Sequence, residues 1–488
     1  MPRDYSDPGE RTPLRTLIQQ NPDLRIEQDD YNINVTANYG TALSAADVAA
    51  ALAVHHSGDR PVHLYFHVPL CSYLCHFCNY VKQLAPRDDL DESLEWWTAT
   101  LIDESSRRLR RAPWIGSKQV ESLYLGGGTA ALLTPTQVGR ILAHARAEYS
   151  LTPACEITVE GNPENFGAPR LAHLCTVGVN RFSVGIQSFD DQVNRFAGRR
   201  HSAEAAWTAV EALLDSGRPF NVDMMFGLPR QTVSGVAQDI RRLAEAAVPT
   251  ITIYRLRNAD RHAMGIGNRA VWNVDRVREK LHASGEFPSL DVTCAMRDAA
   301  VEILLAHGYR PSPCGWWSLP GTYPDGNIPA VSRNKWEHYD PMLACGPGAY
   351  GWLTGTVEAV QTHNIADINE YREFMRHTAD ELPFARGRRF SVRETVATAL
   401  GFAFKAAQPI NASRFLKDYG VSLAVDEPYA SVLAELCRRK FLERRADGTD
   451  FVPTLDGEAL HEEIISVYFH DTLGSSPAVL CRPAAATT

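Results

Sequence analysis

The chain has 488 residues, 44% of them hydrophobic, with 58 acidic against 49 basic side chains and a formal net charge of −9, enough to bury a full-sized core in more than one packed unit, which excludes a mini-protein and a disordered chain. No long run of one sign offers a footprint for nucleic acid or an anionic membrane. No stretch approaches the ~18 uncharged apolar residues of a membrane span, and the opening MPRDYSDPGERTPLR carries charges and prolines where a signal peptide needs an apolar run, so a cytoplasmic protein is expected, with no nucleic acid and no membrane among its partners.

Residues 1–55 lack a sheet pattern and read as an N-terminal extension, a polar lead followed by SAADVAAALAVHH, where a serine and an aspartate precede an alanine-rich helical run. Residues 56–300 read as the core. Short apolar or alternating runs there are each followed by turn residues and an amphipathic stretch, the pattern of repeated βα units. Strands are predicted at 62–69, 122–127, 156–161, 181–187, 220–227 and 250–257, with helices between them such as DESLEWWTATLIDESSRRLRR and PTQVGRILAHARAEY. Six strands with crossover helices predict an α/β fold with a parallel sheet, open or curled into a partial barrel. A helix at about 291–308 leads into an irregular segment rich in aromatic residues, glycine and proline, so that 301–385 reads as a substrate-covering loop and connection. Residues 386–475, from SVRETVATALGFAF through ASVLAELCRRKFLERR to DGEALHEEIISVYF, read as a separate, mostly helical C-terminal domain, and 476–488 as a loosely ordered tail.

Ten cysteines are too diluted for a disulfide framework, and three of them crowd into HVPLCSYLCHFCNY directly after the first strand. Cys71, Cys75 and Cys78 follow the spacing C-x3-C-x2-C. Three thiolates can hold a [4Fe-4S] cube by three corners and leave one iron without a protein ligand. That iron can chelate the amino and carboxylate groups of S-adenosylmethionine and pass an electron to its sulfonium, giving a 5'-deoxyadenosyl radical, chemistry beyond any side chain. A zinc site, with His76 as an awkward fourth donor, or three packed core cysteines remain as alternatives.

The position matters because parallel barrels present their active sites at the carboxyl ends of the strands. Gly126-Gly127-Gly128-Thr129 ends the second strand, where missing side chains let backbone amides approach a ligand, although a simple turn reads equally well. Glu160 ends the third strand, Gln187 the fourth, Asp223 lies in the fifth and Arg199 follows the fourth. Singly, each polar residue reads as a satisfied structural partner. Their shared placement favours a site.

These pieces together resemble the radical S-adenosylmethionine superfamily, and within it the branch similar to oxygen-independent coproporphyrinogen III oxidase. YFHVPLCSYLCHFC, GGGT, VEGNP, NRFSVGIQSFDD, NVDMMFGLP, CGPGAYG and PTLDGEAL run in the family's order across about 60 to 465. The resemblance implies a partial (β/α)6 barrel with a mostly helical C-terminal domain, a [4Fe-4S] cluster on Cys71, Cys75 and Cys78, and two S-adenosylmethionine molecules in one cavity. It implies that Tyr65, Gly127 and Glu160 hold the cluster-bound molecule. Phe77, Gly128, Thr129, Gln187, Arg199 and Asp223 would hold the second, with Arg257 lining that site although the oxidase has a small residue there, and Trp352 near a further cofactor contact.

Departures from the family pattern bear on the reaction. Tyr80 stands where the oxidase carries another cysteine, which argues against porphyrinogen decarboxylation. Arg333-Asn334-Lys335-Trp336 stands where the related haem chaperones carry HNxxYW, which argues against haem delivery. What remains is radical C-methylation or cyclopropanation of an sp2 carbon in natural-product or antibiotic biosynthesis, the second S-adenosylmethionine giving the carbon. A small-molecule substrate is implied, with a one-electron donor of flavodoxin or ferredoxin type and a companion methyltransferase as partners. Trp316, Trp317, Tyr323, Trp336 and Tyr339 would suit a flat or extended substrate, or else pack over the barrel mouth.

Overall fold

The computed structural model describes residues 11–24, 40–55, 58–256, 270–324, 328–355, 358–445 and 450–474. Its main sheet holds β1 (Thr41–Ser44), β2 (Val62–Val68), β3 (Gln119–Gly127), β4 (Ser150–Gly161), β5 (Arg181–Gln187), β6 (Phe220–Phe226), β7 (Thr250–Arg255), β8 (Arg310–Ser312), β9 (Trp316–Ser318), β10 (Met342–Cys345), β11 (Tyr350–Thr354), β12 (Ala359–Asn364) and β13 (Phe384–Phe390). The six predicted strands are β2 to β7, and they pair in parallel in that order. Crossover helices such as Leu90–Arg111, Pro135–Glu148 and Ala203–Asp215 cover one face. The α/β fold with a partial, unclosed barrel is as expected.

Alternation within each strand explains the two faces. In β2, Val62, Leu64, Phe66 and Val68 enter the core under the helices, while His63, Tyr65 and His67 line the concave side. The same split repeats along the sheet. Val159 is in the core and Glu160 on the concave side, as are Val184 and Ser183, Val222 and Asp223. Each crossover helix therefore seals an apolar surface, and the concave side is left polar.

Residues 301–385, read from sequence as a loop, instead extend the sheet at both ends. Trp316–Ser318 pairs antiparallel with β7, Met342–Cys345 pairs parallel with β2, and Tyr350–Thr354, Ala359–Asn364 and Phe384–Phe390 continue antiparallel to the edge strand Thr41–Ser44. Their aromatic and β-branched residues favour strands, and glycine or proline punctuation between such short runs imitates a loop.

The C-terminal unit is mostly helical, as expected, but its FLERR sequence leaves the helix at Lys440, where φ is 61°, and Leu442–Arg444 joins a three-stranded sheet with Ile410–Asn411 and Asp450–Pro453. The unit is not separately packed. Its helix Val392–Lys405 shares one core with Tyr339, Trp352 and the N-terminal helix Leu14–Gln20, so part of the expected extension is a structural strap. The predicted tail lies outside the described residues.

Candidate functional site

A cavity of about 540 Å³ opens at the carboxyl ends of the parallel strands, and Cys71, Cys75 and Cys78 line it together. The loop that carries them is braced by the glycine turn after β3: the Gly128 amide donates to the Val68 carbonyl at 2.8 Å and the Thr129 amide to the Leu70 carbonyl at 2.7 Å. A Cβ on Gly128 would lie 2.6 Å from the Leu70 oxygen and 2.9 Å from Cys71 Sγ, so only glycine fits. Burial pushes the Cys71 thiol up to about 12, the neighbouring thiols adding to the shift, and raises Cys75 in the same way. Cofactor-free Cys71 and Cys75 are thus protonated, and binding iron there must release those protons.

His76 takes no part. Its Nδ1 donates to the Phe196 carbonyl at 2.9 Å and its ring packs on Trp272. Among the described residues no three His, Cys, Asp or Glu side chains are placed to hold a single metal ion. The triplet frames a space, which fits a three-cornered cluster better than a closed zinc site.

Beside the cysteines, Arg199 donates from Nη1 to Cys75 Sγ at 3.3 Å and from Nη2 to Asn162 Oδ1 at 3.0 Å and to the Gly185 carbonyl, while its guanidinium covers the Tyr73 ring. This residue, matched by the resemblance to the second cofactor, touches Cys75 of the triplet. Tyr65 is oriented by His67. The Val81 carbonyl can only accept, so His67 Nε2 donates to it at 2.7 Å and Nδ1 accepts from Tyr65 Oη at 3.0 Å. Burial pulls His67 down to about 4, keeping it neutral.

Glu160 accepts from Tyr124 Oη at 3.1 Å. Burial, reinforced by Asp223, lifts Glu160 to about 7, and burial lifts Asp223 to about 6 against hydrogen bonds that include Ser183 and Asn221. Gln187 sits at φ 72° beyond a register shift in β5, which turns it into the same space. Phe77, Gly127 and Thr129 line it as well. The glycine cradle, the acceptors and the thiols suit a cluster with a nucleoside-bearing ligand.

One predicted residue falls elsewhere. Trp352 is buried behind the wall, with Nε1 donating to the Asp340 carbonyl at 2.8 Å. Arg257 lies outside the described residues. Of the predicted aromatic set, Trp316 and Trp336 line the cavity, whereas Trp317, Tyr323 and Tyr339 are core residues. Sequence reasoning missed His63, Tyr124, Ser183, Lys335 and Lys405, all lining the cavity. Strand alternation could have found the first three; Lys335 lies in the Arg333-Asn334-Lys335-Trp336 stretch, weighed only as a departure from HNxxYW, and Lys405 carries no local motif.

Residues 65–243 match the profile of the Radical SAM superfamily. Heme chaperone HemW of Bacillus subtilis is 22% identical over 406 residues, 83% of this chain and 98% of that protein. Oxygen-independent coproporphyrinogen III oxidase of Salmonella typhimurium is 28% identical over 235 residues, 47% of this chain and 50% of that one. The solved coproporphyrinogen III oxidase of Escherichia coli, described as a radical SAM enzyme, superposes with a TM-score of 0.70 at 19% identity, covering 91% of this chain and 99% of that structure. Among the described residues no helix is long and apolar enough to cross a membrane.

Proposed function

The chain carries a radical SAM domain and fits the coproporphyrinogen III oxidase-like branch of that superfamily, and from that premise we propose that it is a carbon-transfer enzyme acting in the cytoplasm: one S-adenosylmethionine is cleaved and a second gives a methyl or methylene carbon to an sp2 carbon of a small molecule in a natural-product pathway. The observation that carries this reading is that Glu160 of β4 and Asp223 of β6, two half-buried carboxyl groups on separate strands, line the cavity of the cysteines. Each can take the hydroxyls of one ribose.

Cys71, Cys75 and Cys78 would hold the [4Fe-4S] cluster, which supplies when bound the electron that cleaves a sulfonium. The Gly127 and Gly128 backbone leaves room for the amino-acid end of a cofactor, and Tyr65, fixed by His67, bounds it. Arg199, next to Cys75, holds positive charge beside the thiolates. A flavodoxin- or ferredoxin-type electron donor and a companion methyltransferase are the proposed partners. The test is stoichiometry: the anaerobically reconstituted chain should bind two S-adenosylmethionine molecules, and Asp223→Ala should weaken one site tenfold or more, the cost of losing a buried hydrogen-bonding partner. A single site indifferent to Asp223→Ala argues for a one-cofactor enzyme.

A second reading, oxidative decarboxylation of a tetrapyrrole propionate, is favoured by the likeness to oxygen-independent coproporphyrinogen III oxidase and by Arg255, which lines the cavity. Arg333, at the start of the Arg333–Glu337 turn, is engaged by Glu121 at 3.3 Å.

A further inference from the structure

Away from the cysteines, the cavity wall changes character. The chain has only seven lysines, and two of them meet at one indole: Lys335 Nζ lies 4.4 Å and Lys405 Nζ 4.9 Å from the Trp336 ring centre. They come from different parts of the chain, Lys335 from the Arg333–Glu337 turn and Lys405 from the last position of the Val392–Lys405 helix. All three residues line the cavity. Among the described residues Lys335 has no carboxylate partner, and Lys405 has one, Glu462, at a long 4.0 Å. Glu462 faces a smaller neighbouring recess. Two ammonium groups are therefore gathered with too little negative charge between them.

An independent observation points to a ligand at the same place. His63 is 1% exposed, lines the cavity, and its Nε2 has no hydrogen-bond partner. Burial and the nearby Lys335 pull it down to about 3, so its ring is neutral. A buried, unpartnered polar atom is costly unless something binds it. His63 precedes His67 by four positions on β2, roughly 13 Å at strand spacing, so this group lies well below the cysteine loop.

We propose that Lys335, Lys405, Trp336 and His63 form the substrate's anchoring subsite, which takes a flat conjugated molecule bearing one carboxylate or phosphate. The two ammonium groups hold the anion, the indole stacks on the ring system and His63 supplies a further hydrogen bond. The lysines converge on one indole, so a single anionic group is selected; the spread carboxylates of a tetrapyrrole would need basic groups around the whole rim. This rests on the carbon-transfer reading for what happens at the other end of the substrate.

The test uses the full chain with its cluster reconstituted and three probes: 2-naphthoate, 2-naphthyl phosphate and neutral 2-naphthamide, titrated by calorimetry. Wild type should bind at least one anion and prefer it over the amide tenfold or more, and the stronger anion tells carboxylate from phosphate. Lys335→Gln and Lys405→Gln should each weaken that anion about tenfold and leave the amide unchanged, with the cluster spectrum of wild type reporting an intact fold. His63→Phe, which keeps the volume of the ring, should weaken anion and amide alike. No anion binding by wild type, equal affinity for the amide, or a Lys335→Gln/Lys405→Gln double variant that binds like wild type overturns the assignment. Finding one S-adenosylmethionine site would sink the carbon-transfer reading and leave these affinities, and the subsite, standing.

Discussion

Glu160 and Asp223 are half-buried without a salt-bridge partner among the described residues, and desolvation lifts their carboxyl groups from 4.5 to about 7 and from 3.8 to about 6. The native state then holds protons that the unfolded chain has already released. Stability of the cofactor-free protein should be fully present below about pH 4, fall as pH rises towards 7, and level above it. Glu160→Gln removes one such group and should flatten the fall, measured as urea midpoints at pH 5 and 7.5; an equally steep fall in Glu160→Gln would remove the cause assigned to that carboxyl. For the cysteines, alanine at Cys71, Cys75 or Cys78 should abolish the visible absorption of the reconstituted cluster. Alanine at Cys314, which also lines the cavity, should leave that absorption intact, and the reverse pattern would reassign the ligands.

Short elements decide how the site is held. The glycine turn after β3 is legible in the sequence as GGGT, but its structural purpose appears only in space, where Gly128 passes against Leu70 and Cys71. Gly128→Ala is expected to lower cluster incorporation severalfold while β3 and the sheet remain formed, read by iron content against far-ultraviolet circular dichroism. Full iron content in that variant would show that the loop gives way easily. The parallel strands were legible because each alternates a core residue with a cavity residue, as Leu64 with Tyr65 or Val222 with Asp223. The strands between 310 and 364 were not, since runs of three to six residues broken by glycine and proline look like loop until partners are known. Lys335 and Lys405 were equally hidden: a turn and a helix end 70 positions apart in sequence meet only through the packing of the C-terminal unit on the barrel.

At the scale of the molecule, that packing depends on a shared core. Leu14, Leu17 and Ile18 of the N-terminal helix are buried with Leu460 and Phe469 of the C-terminal unit, and Arg297 on the helix Leu290–Ala306 makes a buried ion pair with Glu458. Leu17→Ala should cost about 2 to 5 kcal/mol, the usual range for a buried leucine, and lower the melting temperature of one cooperative transition; a separate early transition would show that the C-terminal unit folds alone. The barrel and the helical cap, through Lys405, line the cavity in which two cofactors and a substrate are proposed to meet. The most direct test of carbon transfer is to turn over the reconstituted full chain with S-adenosylmethionine deuterated in its methyl group and weigh the 5'-deoxyadenosine. Hydrogen abstraction from a second cofactor needs its methyl within roughly 3 to 3.5 Å of the radical carbon, and predicts 5'-deoxyadenosine carrying one deuterium. Unlabelled 5'-deoxyadenosine would contradict it.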